Sequence, residues 1–258
     1  MLIEDTFHPR PLGRWRNTQV GGGRLMLRNE GLRLIVAGAR RTNYSDAQID
    51  DYAGLARRRF PHRPPLRLTV RARASERLAG TAGFGFWNNP FSPLGGAPGL
   101  PAAVWFFFAS PPSDMPLALG VPGHGWKAAC IDATRPAALA WAPLAPTVLL
   151  ANRVPAFYRR IWPRVQRGLR VAEASIPALD RHWCEYTIEW RADAARFLVD
   201  GAVVLETQRP PRGPLGFVAW VDNQWMVATP HGRFGWGLLD AEAQWLDLAC
   251  IRIETLAG

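Results

Sequence analysis

Lysine is almost missing from this sequence. Lys127 is the only one, and the other basic residues among the 31 are all arginine. A GC-rich genome produces that skew without selection on function, so a basic composition alone carries little meaning. Cysteine is also scarce: Cys130, Cys184 and Cys250 are odd in number, far apart and in apolar surroundings, which excludes a disulfide framework and a cysteine metal cluster. No apolar run of about 18 residues occurs, as a membrane-spanning helix needs. The N-terminal stretch "MLIEDTFHPRPLGRWR" has no apolar core of a secretory signal, so a soluble, cytoplasmic protein is expected. His8, His62, His182 and His231 have no metal-ligand spacing, and nucleophile, phosphate-loop and dinucleotide fingerprints are lacking. Neither a metal nor a cofactor is therefore expected.

What is present is a well-stocked β sequence. The 258 residues are 48% hydrophobic and 11% aromatic, enough for one sizeable core, and a single domain over the whole length is expected. The formal charge of +10 is spread along the chain and no binding motif accompanies it. Nucleic acid is not the expected partner, while a phosphate-bearing or otherwise anionic ligand stays open. "LRLTVRARAS" sets Leu66, Leu68, Val70 and Ala72 opposite Arg67, Thr69, Arg71 and Arg73, the alternation of a strand with one wet face. Similar runs follow at "GRLMLRN", "GLRLIVAG", "GFGFWNN", "AAVWFFFAS", "GWKAACID", "CEYTIEWR", "ARFLVDGAVVLE", "LGFVAWVDN" and "WLDLACIRIE". Glycines and prolines separate them. About a dozen strands without interleaved helices imply a two-sheet sandwich or barrel.

One segment breaks this pattern. From about Pro143 to Ala174, Val154, Phe157, Tyr158, Ile161, Trp162 and Val165 recur at helical spacing against five arginines. The prolines at 155 and 163 predict two or three short helices there. Such an insertion could decorate the sandwich, cover a cleft as a lid, or offer a basic surface to a membrane or partner.

The stretch "WCEYTIEWRADAARFLVDGAVVLET", Trp183 to Thr207, resembles the paired strands of family-16 glycoside hydrolases and their concanavalin A-like relatives, where a "YxIEW" strand precedes an "FxVDG" hairpin. "NYSDAQIDDY", "LRLTVRARAS", "GTAGFGFWNNP" and "WLDLACIRIE" follow the same order around it. The resemblance implies an all-β concanavalin A-like jelly-roll sandwich of two antiparallel sheets with a helical insertion and a ligand cleft across the concave sheet. In those hydrolases the strand after the tryptophan-bearing one carries the nucleophile and the acid/base. Here that strand is "AAVWFFFAS". In either register it offers no carboxylate, so retaining glycosidase chemistry does not carry over, and an aromatic floor stands in its place.

Alternation then selects candidates for the cleft. Trp105 and Phe107 share one face of "AAVWFFFAS". Gln48, Asp50 and Tyr52 share one face of "NYSDAQIDDY", while Val218, Trp220 and Asp222 share one face of "GFVAWVDN", with Asn223 following. Asp50, Tyr52 and Asp222 are the candidate proton donors and acceptors. Trp87 with Asn88, and Trp126 with Lys127, add rings, an amide and an amine of adjustable pKa. Asp50, Asp222 and Asn88 have a plainer explanation in strand-end or turn hydrogen bonding, and Lys127 in chance survival at the surface.

Two function classes follow. In one, the cleft takes a compact, largely apolar organic molecule, with or without acid/base chemistry of cyclase, isomerase or hydrolase type. In the other, Trp87, Trp105 and Trp220 stack against sugar rings of a saccharide ligand. A purely structural role for the basic insertion is a third.

Overall fold

The computed structural model describes residues 2–91 and 99–256. Two large antiparallel sheets lie face to face. The eight-stranded sheet runs β13 (Ala202–Gln208), β12 (Ala194–Val199), β11 (Cys184–Trp190), β6 (Leu66–Ala74), β17 (Ala241–Thr255), β4 (Gly31–Ala39), β3 (Gly23–Arg28), and β1 (Leu2–Asp5) pairs with β17. The seven-stranded sheet runs β10 (Ala172–Ser175), β9 (Gly125–Asp132), β8 (Ala102–Ala109), β7 (Thr81–Trp87), β14 (Gly216–Asp222), β5 (Asp46–Asp50), β2 (Arg16–Val20). A separate hairpin joins β15 (Gln224–Ala228) to β16 (Phe234–Leu238).

Period-two alternation decides what each sheet hides. On β6 the predicted apolar set is buried, and on β11 Tyr186, Ile188 and Trp190 answer it. From the facing sheet come Phe84, Phe86, Phe106 and Phe217, all without solvent exposure. Their rings meet across the interior: Phe84 lies 5.3 Å from Tyr186, Phe86 5.4 Å from Trp190, and Phe106 5.5 Å from Phe197, tilted or edge-on as ring quadrupoles prefer. This inter-sheet layer is the main core. Burying each such ring contributes roughly 1.5–3 kcal/mol.

The helical region differs in detail from its expectation. It comprises α1 (Pro136–Leu139), α2 (Ala145–Ala151) and α3 (Pro155–Leu169). Pro155 occupies the first turn of α3, where its missing N–H is no loss. Pro163 sits inside α3 without ending it, and the helix stops at Arg170, whose φ of 49° is left-handed. Residues 172–174 belong to β10 at the sheet edge instead. Trp162 and Val165 are the buried residues of α3, whereas Val154 and Phe157 are 48% and 52% exposed. Among the described residues no helix is long and apolar enough to cross a membrane.

Candidate functional site

The outer face of the seven-stranded sheet carries a second, smaller apolar cluster. The strand registers build it row by row. One row reads Gln48, Trp220, Gly83, Phe107, Lys127 across β5, β14, β7, β8 and β9; the next reads Asp50, Val218, Gly85, Trp105, Ala129. Directly opposite residues of an antiparallel pair share a face, so three bulky aromatics stand beside two glycines of β7. Both glycines are required by close approach. A Cβ at Gly83 would come within 2.8 Å of the Trp220 ring, and one at Gly85 within 2.6 Å of Trp105 Cβ. Gly85 also has φ of 148°, which a side chain disfavours.

The rings therefore lie over the sheet and enclose a cavity of about 270 Å³. Trp105 is the hub, with ring centroids 5.7 Å from Trp87, 5.6 Å from Phe107 and 5.4 Å from Trp220. Gln48, Val218, Asp222 and Gln224 share the wall with Met115, Met226, Thr81, Tyr44 and Phe91. Two indole N–H groups are spent internally. Trp87 donates to Tyr52 Oη at 2.7 Å, and Trp220 donates to Thr81 Oγ1 at 2.9 Å.

Asp222 is the polar centre of this wall. Its Oδ1 accepts from the Thr81 N–H, the Thr81 hydroxyl and the Gln224 N–H, each at 2.9 Å. Its Oδ2 has no hydrogen bond among the described residues. Burial pushes the carboxyl up to about 6, against the lowering effect of those donors. Asp46 is its register partner on β5. Asp46 is buried, its Oδ1 has no partner among the described residues, and its pKa is raised well above the usual range by desolvation, then by Asp222 and Asp50. The Tyr44 hydroxyl is also pushed up, by desolvation and then by these two acids. A carboxyl near neutrality at the end of an apolar cavity can give or take one proton.

The structure brings Gln48, Trp87, Trp105, Phe107, Trp220 and Asp222 together on the cavity wall and corrects the placement of the other candidates. Asp50 is 1% exposed and accepts from the Tyr52 and Ala53 N–H groups and from Gln48 Nε2, closing the turn after β5. Tyr52 is buried behind Trp87, with its ring against Phe60. Asn88 falls past the end of β7, where its amide satisfies Leu100 O and Ala102 N. Asn223 is fully buried and ties Arg40, Asn43, Ser45 and Leu239 backbone groups together. Trp126 points inward, its ring 5.2 Å from Phe108. Lys127 is on the outer face but sealed: its side chain is 2% exposed and its Nζ lies 3.3 Å from both Glu173 Oε2 and Met115 O.

Residues missed from the sequence fall into two groups. Asp46 shares the parity of Gln48 on the same strand, so alternation extended one step would have found it. Tyr44, Phe91 and Met115 come from loops, and no periodicity places a loop in space.

No protein-family model matches the chain, and no curated protein matches it. Solved structures do match. A non-specific endo-beta-1,3(4)-glucanase of family GH16 shares 14% identity over 98% of this chain and 90% of its own, with a TM-score of 0.54. The beta-glucanase of Bacillus licheniformis shares 9% over 99% and 98%, with a TM-score of 0.53. The carbohydrate recognition domain of Emp47p shares 10% over 99% and 95%, with a TM-score of 0.51. The chain thus has the concanavalin A-like fold of these glucanases and of this carbohydrate recognition domain.

Proposed function

We propose that the protein binds a compact, largely apolar ring-bearing molecule in the aromatic cavity, with one polar group of the ligand held by Asp222 Oδ2. The observation that carries this is the wall itself, in which aromatic rings surround one carboxyl poised near pH 6 with an oxygen to spare. Small-ligand sites are mostly apolar with a few placed polar groups, and about 270 Å³ limits the ligand to a small body. Proton transfer to or from that polar group is the chemistry the site can perform. A sugar's many hydroxyls would need more partners than a wall whose Trp87 and Trp220 N–H groups, and Gln48 Nε2, are already engaged.

Fold likeness to saccharide-active proteins favours a second reading, a non-catalytic saccharide site on the same rings. Tryptophan fluorescence titration with 2-naphthol, naphthalene and laminaribiose separates the two. The first reading expects saturable quenching by 2-naphthol, weaker response to naphthalene, and convergence of the two in D222N. Saturable binding of laminaribiose with no response to 2-naphthol would overturn it.

A further inference from the structure

A second cavity, of about 260 Å³, lies past the Trp87 end of β7 and, among the described residues, shares no lining residue with the aromatic one. The registers set Asp222 beside Thr81 at one end of β7, whereas this cavity opens past Trp87, where Asn88, Ala102 and Asp132 meet. Asn88 lies about 20 Å along the strand from Thr81 and directly follows Trp87 of the aromatic wall. Its walls are the turn at Arg57–Arg59, the start of the helical region at Arg135, and the loop carrying Arg212.

Four guanidinium groups line it, from Arg57, Arg58, Arg135 and Arg212, against one carboxylate, Asp132. That carboxylate is already matched, since it accepts from the Thr134 N–H and hydroxyl and from Arg135 Nε. Arg57 is committed to the carbonyls of Asn89 and Pro90. Arg58 and Arg212 are exposed side chains. The Arg135 Nη2 is covered and lacks an acceptor among the described residues. The protein thus leaves this guanidinium only partly satisfied, and the side chain keeps 26% exposure through which an external acceptor can approach.

We propose that this cavity is an anion site for the phosphate or sulfate group of a small ester, held by Arg58, Arg135 and Arg212. The guanidinium fork matches the oxygens of a tetrahedral oxyanion two at a time. The positive field extends beyond the lining. Arg170 is lowered by desolvation and then by the charge of Arg135, with Asp132 opposing and Arg209 and Arg212 adding to the lowering. Like charges held this close repel, and a dianion placed among them relieves the repulsion.

Isothermal titration calorimetry and thermal melting with sodium phosphate, sodium sulfate and sodium chloride, at matched ionic strength, test the site. Saturable binding of phosphate or sulfate, absent for chloride, is expected. R58A/R212A removes two exposed side chains and should weaken binding about tenfold or more without lowering the melting temperature measured in the absence of anion. R58K/R212K keeps the charge without the fork and should fall between. Equal stabilisation by chloride, or undiminished phosphate and sulfate binding in R58A/R212A, overturns the proposal.

Discussion

Asp46 and Asp222 stand directly opposite each other on neighbouring strands of one sheet, and only Asp222 reaches the cavity wall. Two carboxylates side by side in a buried setting resist double ionisation. The linkage has a definite sign. Both folded-state pKa values are raised above the ordinary carboxylate range, so the stability that their protonation contributes is fully present below about pH 4. It is lost as pH climbs through about 6 for Asp222. D222N should flatten the fall in melting temperature between about pH 4 and pH 7, and D46N the fall as pH rises above about 4, relative to the unmutated protein. A thermal-melting series against pH that is parallel in all three proteins would contradict this.

Lys127 and Glu173 form a buried pair of opposite charge. Burial lowers the amine and raises the carboxyl, each shift being opposed by the partner. Glu173 also accepts the Leu117 and Ala118 N–H groups, while Trp162 and Gln166 of α3 donate to Leu117 O. The pair thus fastens the helical region and the loop of Met115 to the sheet edge. K127M leaves a buried carboxylate without its cation and should cost about 3–5 kcal/mol in urea unfolding. The double variant K127M/E173M should recover much of that loss. Ligand contact by Lys127 would instead predict lost binding at unchanged stability in K127M.

Strand parity was the legible part of this chain, because a period of two needs no knowledge of loops. It assigned Trp105 and Phe107 to one face of β8, and Trp220 and Asp222 to one face of β14, as the structure has them. The same rule separates the two candidates on β9. Trp126 and Lys127 are consecutive in a strand and cannot both face one cleft; the first is in the inter-sheet core. Short strands such as β1, β2, β15 and β16 were illegible, since about five residues hold too little pattern. Asn88, Asn223 and Asp50 sit where strands end, and a polar side chain there satisfies backbone groups as readily as it meets a ligand.

Turnover of lichenan or laminarin by a retaining route is not expected. That route needs a nucleophile and an acid/base about 5–5.5 Å apart, flanking the bond. Along β8 the cavity side presents Trp105 and Phe107, and Asp222 is the only carboxylate on the wall among the described residues. Reducing-sugar assays with purified protein should stay at the level of D222N. Activity well above it, lost on that substitution, would show that one carboxyl suffices.

The adjacent residues Trp105 and Phe106 give the last prediction, because one strand sends them to opposite faces. Phe106 is unexposed, with ring centroids 5.7 Å from Phe84, 5.2 Å from Tyr186 and 5.5 Å from Phe197. Truncating it opens a hole between two sheets that cannot collapse, and F106A should lose about 3–5 kcal/mol. Trp105 is only half-buried and borders space that already exists, so W105A enlarges a cavity rather than creating one. Its loss of stability should be clearly smaller, since the missing contacts are one stacked ring at Phe107 and two tilted rings at Trp87 and Trp220, on a face that already borders open space. Binding of 2-naphthol should respond in the reverse order, abolished in W105A and kept by whatever fraction of F106A remains folded. Urea unfolding with the same titration on both variants reads the two faces apart. Should W105A unfold as easily as F106A, Trp105 would be holding the fold and the cavity would lose its claim to be a binding site.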